Sequence, residues 1–240
     1  ALIPWFAKVP VRTGFRGEMR FGVINDMRPF DRELLDQTVK RFVALGLDYD
    51  EAPPDVLPNP ALTVAKDNQQ KAMRGLGVTT DRRIVAMMPG AEYGPAKCWP
   101  HEYFTELAAN LDREGFAVWV LGSDKDAVAG DAIAGGSRAM NLCGKTSLED
   151  VVDLLAACEQ AVSNDSGLMH IASAVGAHVH GIYGSSSPKF TPPLTKSRDI
   201  HRIGLDCSPC YQRECPLGHL RCLKDLKPDV VLRKILDKRP

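Results

Sequence analysis

The chain has 240 residues, of which 44% are hydrophobic and 25% charged, a composition typical of a globular protein with one large domain or two small ones. No stretch approaches the roughly 20 uninterrupted apolar residues of a membrane helix, and the N-terminus lacks the layout of a signal peptide, so we expect a soluble, cytoplasmic protein. The 30 basic and 30 acidic residues cancel, which argues against a nucleic-acid partner bound through its phosphates.

The first 30 residues form a basic segment, with five lysines and arginines against two acidic residues. This surplus favours an anionic partner, although a solvated basic surface has the same composition. The apolar spacing that follows predicts a helix over residues 31–45, ended by Gly46. Ala1 reads as the middle of a helix, so we expect an N-terminal portion to precede it. The basic residues are Lys8, Arg12, Arg16, Arg20 and Arg28.

Residues 48–60 contain four prolines. Proline disrupts helices and central strands, so this segment is predicted to be an extended linker. We place a domain boundary here. Residues 1–60 are interpreted as the remnant of an N-terminal domain plus the linker, and residues 61–240 as a second, α/β domain. The roughly 46 residues before the linker are too few to close a core of their own.

Between residues 78 and 183, short β-rich runs alternate with amphipathic helical patterns, which is typical of a parallel α/β sheet. Strands are predicted at 84–88, 116–121, 160–163 and 179–183, with a weaker one at 140–142. Helices are predicted to begin at Pro100, at Thr146 or Ser147, at Gly167, and at Pro228, from which the last helix runs to the end of the chain. Ligands of such sheets bind at the carboxyl ends of the strands.

Two loops at predicted strand ends carry candidate binding residues. The turn of residues 164–167 (NDSG) leads directly into a helix, whose N-terminus favours a phosphate, and Gly167 lets that phosphate approach. The alternative is plain helix capping by Asp165 and Ser166. The glycine-containing loop of residues 89–100 presents Lys97 just before the next helix, where it could reach the same phosphate or simply be a surface lysine.

A third loop, after Leu121, offers Asp124 or Asp126 to the hydroxyls of a ribose, although acidic residues also favour first turns of helices. The chain lacks both the Gly-x-Gly-x-x-Gly fingerprint and the P-loop motif. Their absence counts against a dinucleotide oxidoreductase and a P-loop NTPase.

Four of the seven cysteines crowd near the C-terminus, with His219 among them. In a cytosolic protein, clustered cysteines indicate a structural zinc site rather than disulfides. Their spacing matches no standard zinc finger well, so the alternative that they form no site stays open. The four residues are Cys207, Cys210, Cys215 and Cys222.

Four motifs together resemble the bacterial lipopolysaccharide heptosyltransferases, in particular those that add the second heptose. The resemblance covers nearly the whole chain, and the motifs occur in the family's order. They are residues 12–20 (RTGFRGEMR), 89–100 (PGAEYGPAKCWP), 164–170 (NDSGLMH) and 183–193 (YGSSSPKFTPP).

The resemblance implies a GT-B architecture of two Rossmann-like domains, here with an incomplete N-terminal domain and with the donor on the C-terminal one. By position, Lys97 would steady the donor diphosphate and Asp165 would touch the heptose, as the catalytic pair. Arg12, Arg16 and Arg20 would bind the anionic acceptor. The implied donor-binding residues are Gly90, Asp124, Gly144, Thr146, Leu148, Asn164, Ser166, Gly167, Leu168 and His170.

The implied reaction is inverting transfer of heptose from ADP-L-glycero-D-manno-heptose to the lipopolysaccharide inner core, heptosyl-Kdo-lipid A, at the inner face of the inner membrane. No cofactor or catalytic metal is expected. The family also uses a carboxylate base on a glycine-containing loop near the start of its N-terminal domain. No such loop occurs before the linker, so this chain is expected to lack the base.

Three alternatives stay open on the sequence. One is a related GT-B enzyme, such as another heptosyltransferase or a nucleotide-sugar epimerase. Another is a non-catalytic nucleotide-binding fragment. The third is an interaction domain held together by zinc at the cysteines.

Overall fold

A computed structural model describes residues 1–79 and 81–238, and the chain falls into two compact units. The first unit is Ala1–Pro58 with Lys189–Thr191, and the second is Asn59–Pro188 with Pro192–Pro240. The division at Pro58 lies within the proline-rich segment. Residues 51–60 contain neither helix nor strand.

The first unit contains α1 (Leu2–Phe6), β1 (Thr13–Phe15), β2 (Asp26–Arg28) and α2 (Thr38–Gly46). The two strands pair in parallel, and the Thr13 hydroxyl donates to the Asp26 carboxylate at 2.8 Å.

The helix predicted over residues 31–45 begins only at Thr38, so the first half of that prediction is wrong. The Asp31 carboxylate accepts from the backbone N–H groups of Glu33 and Leu34, at 2.8 and 3.1 Å. This local hydrogen bonding gives the backbone an alternative to a continuous helix, so the chain forms a turn there.

The second unit alternates strands and helices along most of its length. Its elements are α3 (Lys66–Gly75), β3 (Ile84–Met88), α4 (His101–Arg113), β4 (Ala117–Val120), α5 (Ala127–Ala134), β5 (Met140–Asn141), α6 (Leu148–Ala157), β6 (Gln160–Asn164), α7 (Gly167–Ala174), β7 (His178–Ile182), β8 (Arg198–His201), α8 (Arg221–Lys224) and α9 (Pro228–Leu236).

In the described part of this unit, six parallel strands form one sheet in the order β5-β4-β3-β6-β7-β8. The order reverses between β3 and β6, so the loops after these two strands open on the crevice where such sheets bind ligands. The predicted α/β fold with a parallel sheet is confirmed, including the five strands predicted from sequence.

Both faces of the sheet are covered, which explains why β3 and β4 read as unbroken apolar runs. Val85 and Met87 pack in a core with Phe104 of α4 and Ile235 of α9. Ala86 and Met88 face the opposite core, which α6 and α7 cover. The sheet is therefore held from both sides, and its strand ends form a fixed base for the loops.

Six elements were not predicted from the sequence: β1, β2, β8, α3, α5 and α8. The β8 strand follows β7 at the edge of the sheet, and its sequence, Arg-Asp-Ile-His, is mostly polar. The last predicted helix is α9, and residues 239 and 240, to which the prediction extended it, lie outside the described residues. None of the described helices has both the length and the apolar character needed to cross a membrane.

Candidate functional site

The loops after β3 and β6 meet at Lys97 and Asp165. The Lys97 ammonium lies 2.6 Å from the Asp165 carboxylate, and these side chains are only 18% and 5% exposed. The ammonium also donates to the Asp165 backbone carbonyl at 3.5 Å. The two loops predicted to converge at this crevice are therefore in direct contact.

The buried side chain of Asn164 links the same two loops through hydrogen bonds. Its side-chain amide donates to the Pro89 carbonyl at 2.6 Å, and its side-chain oxygen accepts from the Trp99 backbone N–H at 3.0 Å. Asn164 is fully buried. It therefore positions both ends of the Lys97 loop from within the fold.

A cavity of about 710 Å³ opens beside this junction, within the size range of small-molecule sites. It is bordered by the loops after β3 and β4, the turn before α6 and the first turn of α7. Its lining residues are Met88, Gly90, Ala91, Glu92, Leu121, Gly122, Ser123, Lys125, Asp126, Thr146, Ser147, Leu148, Val151, Ser166, Gly167, Leu168 and Ile171.

The first turn of α7 faces this cavity without a side-chain cap. Ser166 occupies the N-cap position and makes no capping hydrogen bond. A Cβ added to Gly167 would meet no described atom within 4 Å. Space is therefore open beside Gly167, at a helix N-terminus whose positive dipole end favours an anion.

Of the predicted donor-binding residues, the cavity brings together Gly90, Thr146, Leu148, Ser166, Gly167 and Leu168. The others do not line it. Asp124 packs against Gly144, where an added Cβ would lie 2.6 Å from the Asp124 carboxylate. His170 lies one turn into α7, and burial lowers its pKa, as does Lys97, against an opposing effect of Asp165.

The cavity also contains side chains that the final sequence assignment did not include. Asp126, the alternative to Asp124, lines it, and its carboxylate accepts from the Ser123 backbone N–H and hydroxyl, both at 2.8 Å. Lys125 and Glu92 form an exposed ion pair of 2.6 Å between neighbouring loops. The conformations of the loops decide that Asp126 lines the cavity and that Lys125 pairs with Glu92. The only signal in the sequence is that acidic residues follow the strand.

The predicted acceptor residues belong to the first unit. The Arg12 guanidinium donates to the carbonyls of Val23 and Val9, at 2.6 and 2.5 Å. Arg20 donates to the Phe15 carbonyl at 3.3 Å and lies 3.5 Å from a Glu18 carboxylate oxygen. Arg16 follows directly on β1, and its backbone N–H binds the Arg28 carbonyl.

The four clustered cysteines line a second cavity, of about 20 Å³. All four are free thiols. Backbone N–H groups of Leu220, Leu217, His219 and Gly218 lower the pKa of Cys215. Among the described residues, the group with ligand atoms within 4.8 Å of one another lies elsewhere, at His178, His180 and Asp199.

Comparison with known proteins gives a consistent family. The sequence model described as "Glycosyltransferase family 9 (heptosyltransferase)" matches residues 1–221. The chain is 39% identical to lipopolysaccharide heptosyltransferase 2 of Salmonella typhimurium over 246 residues, which cover 98% of this chain and 71% of that protein. It is 38% identical to lipooligosaccharide heptosyltransferase 2 of Haemophilus influenzae, over 98% of this chain and 72% of that one.

The fold gives the same result. The chain superposes on the structure of Escherichia coli ADP-heptose lipopolysaccharide heptosyltransferase II with a TM-score of 0.87 and 37% sequence identity. That match covers 98% of this chain and 72% of the Escherichia coli chain.

Proposed function

Because the chain belongs to glycosyltransferase family 9, the heptosyltransferases, we propose that it transfers heptose from ADP-L-glycero-D-manno-heptose to the lipopolysaccharide inner core, as the second heptose. The observation that carries the proposal is the contact of Lys97 with Asp165, which places a cation close to the N-terminus of α7, where the N-cap Ser166 makes no capping hydrogen bond. Its relatives of 38–39% identity are heptosyltransferases 2.

The donor occupies the cavity with its diphosphate at the N-terminus of α7. The partial positive charge there and the ammonium of Lys97 both favour an anion. Thr146 and Leu148, which also line the cavity, contact the nucleoside. Asp126 is better placed than Asp124 to reach the ribose, because Asp126 lines the cavity.

The Lys97–Asp165 pair changes partners when the donor binds. The Lys97 ammonium then pairs with the diphosphate oxygens, and the Asp165 carboxylate accepts a hydrogen bond from a hydroxyl of the heptose. As the acceptor hydroxyl attacks the anomeric carbon and loses its proton to water, the bond from that carbon to the diphosphate breaks and negative charge grows on the departing ADP. Lys97 and the N-terminus of α7 stabilise that charge. Attack from the face opposite ADP inverts the anomeric configuration.

The acceptor belongs to the first unit in this proposal. Arg12, Arg16 and Arg20 supply guanidinium groups suited to the phosphates and carboxylates of an inner core. Arg12 and Arg20 already donate to backbone carbonyls, so they also shape the loop that presents Arg16. The acceptor is a lipid-linked saccharide, so the reaction takes place at the inner face of the inner membrane.

Ligand-dependent melting tests donor binding. ADP-heptose at a hundred times its dissociation constant should stabilise the protein by about 2.7 kcal/mol, and UDP-N-acetylglucosamine at the same concentration should not. Equal stabilisation by the two nucleotide sugars would contradict the donor assignment.

Transfer itself is tested with a heptosyl-Kdo-lipid A acceptor and mass detection of the added heptose. A chain that binds ADP-heptose but never releases ADP in the presence of acceptor would be a nucleotide-binding module. Acceptor-independent conversion of the donor sugar would indicate an epimerase.

A further inference from the structure

The cysteine segment, residues 207–222, brings four thiols to one small cavity. Cys207, Cys210, Cys215 and Cys222 all border it, and the surrounding side chains are mostly apolar, including Pro216, Leu217 and Leu220. Its volume of about 20 Å³ suits a single small guest rather than a ligand with many atoms.

Ser185 provides an independent sign that this cavity holds a ligand. Its side chain borders the cavity and is 1% exposed. Its hydroxyl has no hydrogen-bond partner within the described ranges, 1–79 and 81–238. An unpaired buried hydroxyl costs about 1–3 kcal/mol, and a sulfur that carries negative charge is an acceptor for it.

The loop around Cys215 is already shaped to receive a thiolate. The Gly218 backbone N–H donates to the Cys215 carbonyl at 3.0 Å, and Gly218 and Leu220 adopt positive φ values of 69° and 50°. This tight turn keeps Cys215 beside the cavity, where its thiolate is the form that binds metals.

We propose that Cys207, Cys210, Cys215 and Cys222 bind one thiophilic cation, Zn²⁺ or Fe²⁺, and that this centre holds the Lys97 loop in position. Bonds of about 2.3 Å to zinc place four tetrahedral sulfurs about 3.8 Å apart. In the described chain no three of these sulfurs lie within 4.8 Å of one another, so binding draws the segment inward. Residues 202–220, outside helices and strands, can follow.

The link to the Lys97 loop consists of hydrogen bonds on both sides of that lysine's turn. The Arg213 carbonyl accepts from the Ala96 backbone N–H at 3.0 Å, and the Arg213 guanidinium donates to the Tyr93 carbonyl at 2.7 Å. The Tyr93 hydroxyl donates to the Tyr211 carbonyl at 2.7 Å. Tyr211 and Arg213 lie between the second and third cysteines, so the metal fixes the chain that supports Lys97.

Metal analysis tests the site directly. Protein purified with reducing agent, without chelator and from medium containing zinc and iron, should hold about one of these ions per chain. Elemental analysis distinguishes the two. The double variant Cys207→Ser, Cys215→Ser should retain less than about a tenth of that metal, whereas Cys158→Ala, a buried thiol outside the segment, should retain all of it.

A second measurement needs no variant. Stripped wild-type protein titrated with Co²⁺ should gain thiolate-to-cobalt absorption, and the four clustered thiols should become protected from an alkylating reagent while Cys98 is not. Wild-type protein without metal, disulfides in its native form, or metal retained by the double variant would each overturn the proposal. In the last case the ion would lie at His178, His180 and Asp199.

Amide exchange tests the positioning role, without any sugar nucleotide. Removing the metal should speed exchange at the Ala96 amide by about tenfold or more and leave the Val85 amide in β3 unchanged. Equal exchange at Ala96 with and without metal would overturn this part. Neither result depends on transfer activity, so failure here is distinct from failure of the proposed function.

Discussion

Lys97 has two anionic partners in this account, Asp165 in the free protein and the diphosphate in the complex. Lys97→Gln should therefore lower kcat about 10²–10³-fold, the loss typical of removing one group that stabilises transition-state charge. The control variant Lys71→Gln, at an exposed position of α3, should leave kcat unchanged. Initial rates of ADP release measure both.

Stability separates the ion pair from the chemistry. Lys97→Gln leaves the buried Asp165 carboxylate without this cation, so it should also lower the free energy of unfolding. Adding Asp165→Asn should restore stability but not activity. If the double variant recovered activity, Lys97 would act through folding alone.

Gly167 is predicted to matter for the ligand and not for the fold. An alanine there meets no described neighbour within 4 Å, so Gly167→Ala should keep the free energy of unfolding or raise it by up to about 1 kcal/mol. Its methyl group occupies the space of the phosphate, so the Kd for ADP should rise about tenfold or more. Calorimetric titration gives the Kd.

Gly75→Ala is the matched control, because Gly75 lies in α3 and its added Cβ also meets no described atom within 4 Å. It should gain similar stability without any change in ADP affinity. Unchanged ADP affinity in Gly167→Ala would place the diphosphate elsewhere.

The junction of β3, α4 and β6 depends on Asn164. Asn164→Ala leaves the Pro89 carbonyl and the Trp99 backbone N–H without their partner in a buried site, and should cost about 2–3 kcal/mol. Asn68→Ala, exposed on α3, should change stability by less than about 0.5 kcal/mol. Denaturant unfolding measures both, and equal losses would contradict the role given to Asn164.

The central strands could be predicted because they are buried on both faces and therefore read as apolar runs, as in β3. The edge strand β8 could not be predicted, because an edge strand is less buried and does not require an apolar run. Its first two residues, Arg198 and Asp199, are charged. The helix expected from residue 31 failed because the side chain of Asp31 competes for backbone N–H groups.

The candidate site was likewise predicted only in part from the sequence. The rule that ligands bind at carboxyl ends of strands located the contact of Lys97 with Asp165. It could not choose between Asp124 and Asp126, since the turn after β4 decides which carboxylate lines the cavity. The prediction of Asn164 as a donor ligand came from its place in a strand-end turn, and its buried amide also hydrogen-bonds the protein's own loops.

The whole second unit should lose stability in mild acid through two histidines. Burial lowers the pKa of His180 to about 3, helped by His201, and lowers the pKa of His201 to about 4. Below pH 6.5 the unfolded chain takes up protons that the folded chain refuses, so stability falls as pH drops from 6.5 towards 4. Each histidine contributes up to about 1.4 kcal/mol per pH unit.

Unfolding free energies at several pH values between 4 and 7 measure this slope. His201→Gln should show a shallower slope, and His101→Gln, on the surface of α4, should keep it. A slope that His201→Gln leaves unchanged would assign the acid loss to other groups.

The proposed donor site depends on one diphosphate being bound by both the Lys97 loop and the first turn of α7. In a crystal structure of this chain with ADP, diphosphate oxygens should lie within about 3.2 Å of both the Lys97 ammonium and a backbone N–H at the start of α7. ADP bound elsewhere, or with its diphosphate contacting neither group, would contradict it.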